Sequence, residues 1–165
     1  MPNSKPAFHA FTLKHTGLCK QLITEISVEY EGIKFSGRAL WDTGATGSCI
    51  SSNVVKQLSL VSTGKSNMAT AAGSKVVDCY LLNFDLPNHV RINDVKVSEP
   101  DLANQGIDFL IGMDIILLGD FIISNYGGKT VFSFRFPSKQ CVDYVMQINV
   151  EKKIGQKHGN GKRGK

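Results

Sequence analysis

The residues best placed to do chemistry lie in one run, Leu40-Trp41-Asp42-Thr43-Gly44-Ala45-Thr46-Gly47. Two apolar residues precede Asp42, so the acid stands where a strand leaves a core. A carboxyl among apolar neighbours is costly unless it is hydrogen-bonded, protonated or paired. Thr43 and Gly44 follow at once, and a small hydroxyl residue with a glycine lets the backbone bend tightly and approach closely. Such an acid can trade protons with a reactant; alternatively, it caps its own turn. The other reactive residue types offer no rival arrangement. Ser48 and Ser51 lack the G-x-S-x-G setting of a nucleophilic serine. His9, His15, His89 and His158 are scattered. Cys19, Cys49, Cys79 and Cys141 form no C-x-x-C and have no histidine at zinc-ligand spacing. They are read as free thiols in a reducing cytoplasm, a disulfide pair being the alternative.

The elements that must position Asp42 are short strands. Phe8 to Leu13 suggests a first strand. Gln21 to Tyr30 alternates, with Ile26, Val28 and Tyr30 opposite Glu25, Ser27 and Glu29, as a half-buried strand does. Glu31-Gly32 turns the chain, and Ile33 to Trp41 returns as the second arm of a hairpin that delivers Asp42 to its end. Cys49-Ile50 is a short strand, and Ser51 to Asn53 can cap a brief helix over Val54 to Leu58. Asn67 to Ala72 and Lys75 to Leu82 predict a second hairpin with a small-residue tip at Ala71-Ala72-Gly73-Ser74. One or two strands follow around Asn93-Asp94. Asp108 to Ile111 then runs apolar into Gly112, and Asp114 is placed to cap a helix over Ile115 to Leu118, closed by Gly119. Asp120–Ser124 and Thr130–Phe136 predict a last hairpin, and Cys141 to Val150 one more strand. The whole is an all-β or mostly-β domain with one or two short helices.

Composition bounds the rest. The 165 residues suffice for one domain, with 42% hydrophobic content. No apolar run approaches the ~18 residues of a membrane helix, and Met1 to Pro6 has no apolar segment typical of a secretory signal. The formal charge of +5 is uneven: residues 1–150 hold 13 Lys/Arg and 13 Asp/Glu, while residues 151–165 hold six and one. Residues 1–7 are therefore taken as a flexible leader, 8–150 as the domain, and 151–165 as a disordered basic tail. Only the tail offers nucleic acid an electrostatic hold.

Asp42-Thr43-Gly44-Ala45, followed later by Leu110-Ile111-Gly112-Met113-Asp114, resembles the retroviral-type aspartic proteases, the retropepsins, in a single-domain cellular or bacterial form. The resemblance spans about Gln21 to Pro137. It implies the acid-protease barrel with one lobe per chain. It also implies a catalytic Asp42, a loop supported by Thr43, Gly44 and Ala45, and a flap at Thr70, Ala71, Ala72, Gly73 and Ser74. Phe109 and Ile111 would line substrate pockets. Gly112 and Asp114 would support the loop from the second motif. No metal or other cofactor is implied. The sequence departs from the retroviral pattern at Thr46-Gly47, where those enzymes carry Asp, and at Met113, where they carry Arg. That ion pair is absent here, and packing by Met113 is expected to replace it.

Hydrolysis by carboxyls needs one ionised group to activate water and one protonated group to donate to the carbonyl oxygen. Two carboxyls a few ångström apart share a proton, as aspartic proteases do generally. The chain has one Asp-Thr-Gly and no internal repeat. The resemblance therefore implies a homodimer with Asp42 at a twofold axis, acting on extended peptides. Retroviral enzymes dimerise through interleaved terminal strands, a part expected here of Val142 to Val150. The alternative is a non-catalytic module that keeps the fold to dimerise or to bind peptides.

Overall fold

The computed structural model describes residues 7–70, 73–102 and 105–160. Strand β1 (His9–Lys14) leads to the hairpin of β2 (Leu22–Tyr30) and β3 (Ile33–Trp41), in register from Leu22 opposite Trp41 to Tyr30 opposite Ile33. Its two-residue turn, Glu31-Gly32, has positive φ at both positions (48° and 80°), the twist a tight hairpin needs. After β4 (Cys49–Ile50), helix α1 (Ser52–Gln57) is capped by Ser51, whose hydroxyl accepts the Val54 amide. Strands β5 (Gly64–Thr70) and β6 (Gly73–Leu86) form the second hairpin, with Thr70 opposite Gly73. The tip residues Ala71 and Ala72 lie outside the described residues. A single strand, β7 (Val90–Ser98), follows. The interruption suggested by Asn93-Asp94 is a bulge, where the β6 register shifts between Leu82 and Phe84 and Asp94 takes φ 56°.

Strand β8 (Phe109–Ile111) runs parallel to β3, with Leu40 opposite Leu110 and Trp41 opposite Ile111. The order is β2-β3-β8-β4-β7-β6-β5, and β2 also pairs with β6 through Ser27–Glu29. Six strands thus close into a barrel, and β5 projects beyond it. This is the retropepsin-like barrel in one lobe, as expected. Beyond helix α2 (Met113–Ile116), β9 (Asp120–Ser124) and β10 (Val131–Phe136) join β1 in a three-stranded sheet ordered β1-β10-β9.

Aromatic packing joins the two sheets. Trp41 meets Phe132 and Phe134 at 5.1 Å between ring centroids, and Phe11 and Phe121 at 5.9 Å. Its indole N–H donates to the buried Thr24 hydroxyl at 3.0 Å. The residue before Asp42 is therefore held by packing and by a satisfied polar tip.

The C-terminal expectation fails. Residues Tyr144–Asn160 form a helix, α3, where Cys141 to Val150 were expected to add a strand, and the helix continues past Glu151 into the stretch taken as a disordered tail. Asp143 explains its start: its carboxylate accepts the Met146 amide at 3.0 Å and its carbonyl accepts the Gln147 amide. None of the helices in the described residues is long and apolar enough to cross a membrane.

Candidate active site

The parallel pairing of β3 and β8 brings the Asp42 loop beside Gly112. The Asp42 amide donates to the Ile111 carbonyl at 2.9 Å. One turn later the Met113 amide donates to the Ala45 carbonyl at 2.8 Å, and the Asp114 amide to the Thr46 carbonyl at 3.2 Å. Gly112 permits this closeness: a Cβ there would lie 2.6 Å from the Gly47 carbonyl carbon and oxygen and 3.1 Å from the Ala45 oxygen.

Asp42 is half-buried, and Thr43 and Gly44 are exposed. The Gly44 amide donates to Asp42 Oδ1 at 2.8 Å, which fixes the carboxyl against its own turn. A Cβ on Gly44 would sit 3.2 Å from that same oxygen, so glycine keeps the acid uncrowded. The loop divides two recesses. One, of about 740 Å³, runs from Gly44 to Gly47 beneath β5 and includes Met68, Leu102 and Leu110. The other, of about 500 Å³, holds Asp42 and Thr43 together with Leu22, Phe121, Ile123 and Asn125.

Of the expected site residues, Asp42, Thr43, Gly44, Ala45, Gly112 and Asp114 come together. Thr70, Gly73 and Ser74 end the β5–β6 hairpin, whose Ser66 to Ala69 stretch faces the larger recess. Phe109 and Ile111 do not line a pocket. Both are fully buried in the main core, because alternation along β8 turns only Leu110 toward the recess. Asp114 does not cap α2 either: Gly112 holds the cap position, and Asp114 lies within the first turn.

Its carboxylate reaches the loop through Ser48, a partner that the sequence did not assign to it. Asp114 Oδ2 accepts the Ser48 amide at 2.9 Å, and Oδ1 accepts the Ser48 hydroxyl at 2.7 Å. The same hydroxyl accepts the Gly112 amide at 3.0 Å. A buried Ser48 thus ties the Asp42 loop to the second motif. The brace is polar, whereas Met113, expected to supply it, is half-buried against the main core. The signal for Ser48 was its place beside the tight turn, but serine is too common in turns to stand out.

Cys49 borders the larger recess, and its thiol is pushed up to about 11 by burial, then by the charges of Asp114 and Asp42. It stays a neutral thiol at physiological pH and is a poor nucleophile. Among the described residues, no group of three His, Cys, Asp or Glu side chains is arranged to hold a metal ion.

Comparison with known proteins agrees with this geometry. A family model described as aspartyl protease matches residues 26–115, more than half of the chain. No curated protein matches. Among solved structures, a retropepsin-like aspartic protease from Rickettsia conorii is similar at 11% identity and a TM-score of 0.50, over 80% of this chain and 98% of that one. A simian foamy virus protease aligns at 21% identity and a TM-score of 0.38, over 55% and 89%. The retroviral protease-like domain of Ddi1 from Leishmania major aligns at 14% and 0.41, over 66% and 91%. With the family model spanning the Asp42 loop, the barrel and the Gly112 node together, the chain belongs to the aspartyl protease family and has the retropepsin-like fold.

Proposed function

We propose that this protein is an aspartic endopeptidase that hydrolyses extended peptides as a homodimer. The observation that carries the proposal is the Asp42 carboxyl, held by the Gly44 amide on the loop whose Gly44 to Gly47 stretch borders the open groove beneath β5, with one Asp-Thr-Gly per chain. Two copies supply the two acids the chemistry needs. One Asp42 takes a proton from water, and the other donates to the carbonyl oxygen of the scissile bond. The reaction needs one ionised and one protonated acid at once, so the pH–rate profile is expected to be bell-shaped with an acidic to near-neutral maximum. Thr43 follows the acid and is exposed, and its hydroxyl is the group proposed to bond across the twofold axis. The β5–β6 hairpin serves as the flap, closing on a substrate that lies as an added strand and excluding water from the reaction. Met68, Leu102 and Leu110 give the groove an apolar floor for one of its side chains.

The test is to incubate wild type and Asp42→Asn with a diverse peptide pool from acidic to neutral pH and to identify cleavage sites by mass spectrometry. Wild type should cleave, and folded Asp42→Asn should not. A variant that cleaves at the wild-type rate ends the proposal. A folded wild-type dimer without turnover favours a peptide-binding or dimerising module instead.

A further inference from the structure

One register row crosses six strands of the large sheet. Leu40 on β3 lies opposite Leu110 on β8, Leu110 opposite Cys49 on β4, and Cys49 opposite Ser98 on β7. Ser98 then lies opposite Cys79 on β6, and Cys79 opposite Gly64 on β5. Residues directly opposite share a face of the sheet. The row therefore runs along the floor of the larger recess, which Leu110, Cys49 and Ser98 line. Ser66, two residues beyond Gly64, returns to the same face and lines it too.

This floor changes character with distance from Asp42. At the near end it is apolar: Leu110, Cys49 and Leu102 belong to one buried cluster, and Leu40, Ala45 and Met68 pack against it. Two strands past Leu110, about 10 Å at ordinary spacing, it becomes polar. Ser66 and Ser98 are half-buried there, with Cys79 fully buried between them. The Cys79 thiol donates to the Ser66 hydroxyl at 3.2 Å and lies 3.9 Å from the Ser98 hydroxyl. A hydroxyl that accepts from beneath keeps its own hydrogen to give above. Charge narrows the choice of occupant. Among the described residues, no Lys, Arg or His lines the recess, whereas Asp101 does so from an exposed position. The charges of Asp114 and Asp42 also reach the floor, where they add to burial in pushing the Cys49 thiol up. A carboxylate head is repelled here. An ammonium head finds only hydroxyls and thiols at the far end, and an ion buried without a counter-charge is costly. An apolar end leaves the two hydroxyls without the partner they had in water.

We infer that Ser66 and Ser98 set the specificity of this recess: it takes a long substrate side chain whose apolar stem lies on Leu110 and Met68 and whose uncharged, hydrogen-bonding end, a carboxamide such as that of glutamine, reaches the two hydroxyls. The inference rests on the peptidase reading above and names what that peptidase selects. A carboxamide both accepts and donates, as the paired hydroxyls require. Ser66 is on the hairpin and Ser98 on the barrel wall, so one bound side chain ties the two together.

Fluorescently labelled peptides test it. Each carries Gln, Met, Glu or Lys at one position scanned through an otherwise constant sequence. Binding and cleavage are both measured, on wild type and on a Ser66→Ala, Ser98→Ala double variant that circular dichroism shows to be folded. At one position, Gln should exceed Met and Glu by about 10-fold on wild type, and the Gln-to-Met ratio should fall to about one on the double variant. Gln that is no better than Met at every position overturns the inference, as does a Gln preference that survives in the double variant. A preference for Lys over Gln also overturns it and assigns the recess to Asp101. Cleavage without a Gln preference leaves the peptidase reading standing and ends this one. A Gln preference in binding that the double variant loses, with no peptide cleaved, does the reverse. Wild type that neither binds nor cleaves any of the peptides ends both.

Discussion

Ser48 shows how much one hydroxyl can carry. It is 2% exposed, donates to Asp114 and accepts from the Gly112 amide, while its own amide bonds the other Asp114 oxygen. Retroviral-type enzymes fill this region with an ion pair, and this chain joins the same two segments with a neutral donor–acceptor and a single carboxylate. Ser48→Ala leaves the buried Gly112 amide unmatched and takes one of two donors from Asp114 Oδ1, which keeps the Ile115 amide; the loss costs about 1–3 kcal/mol. At about 2–4 °C per kcal/mol for a chain of this size, a lower unfolding temperature should be plain by circular dichroism. An unchanged midpoint would show that water replaces the hydroxyl at no cost. Gly112→Ala acts on the same node by a different route. Its methyl would lie 2.6 Å from the Gly47 carbonyl, so the two loops must part. Because Asp42 hangs from that junction through the Ile111 carbonyl, cleavage should fall more than stability alone accounts for. Measuring both on one preparation separates the two effects.

At the scale of elements, legibility followed local chemistry. The β2–β3 hairpin was readable because alternation and the Glu31-Gly32 turn agree, and β9–β10 because two apolar runs flank Asn125 to Lys129. The segment after Cys141 was misread because its apolar residues alternate as in a strand. Among the described residues no strand edge pairs with it, and a segment without a pairing strand satisfies its backbone by coiling on itself, once Asp143 caps the first turn. Phe109 and Ile111 were misplaced for a related reason. A three-residue apolar run shows that a strand is buried, but not which of its faces meets the groove. The start of β9 carries a device that no pattern announces. Asp120 accepts from the Ser138 hydroxyl and the Lys139 amide and pairs with Arg135, which together bind the segment after β10 back to β9. These contacts, the Ser138 hydroxyl foremost, lower its carboxyl to about 2. A carboxyl depressed on folding contributes stability that is complete above its unfolded value near 3.8 and is lost as pH falls toward 2. The clamp should therefore hold through the acidic range where an aspartic peptidase works. Urea midpoints of wild type and Asp120→Asn should differ by a constant amount above about pH 5 and converge below about pH 4. A gap that persists undiminished at the acid end would show that the clamp does not depend on ionisation.

At the scale of the whole molecule, a barrel that closes on itself yet presents a single acid has consequences for mixtures. The folded body is electrically balanced, with 13 basic and 13 acidic residues through position 150, so charge on the body neither drives nor opposes the meeting of two copies. If two copies associate, apolar contact and strand pairing must drive it, and exchange of subunits is then governed by concentration. If the active unit is a twofold pair, chains carrying Asp42→Asn recruit wild-type chains into pairs with one acid. In a freely exchanging mixture, the wild-type chains that find a wild-type partner are a fraction equal to their share of the total. Equal parts of the two proteins should then give about half the cleavage per wild-type chain. An excess of variant should suppress cleavage further, in proportion to dilution of the wild type. A monomeric enzyme would ignore the addition, because each chain would keep its own complete site. Varying the ratio of Asp42→Asn to wild type at constant total protein, with cleavage per wild-type chain as the readout, distinguishes the two: cleavage per wild-type chain that falls with the wild-type share places the second acid in the partner, and cleavage per wild-type chain that stays constant places everything needed within one chain.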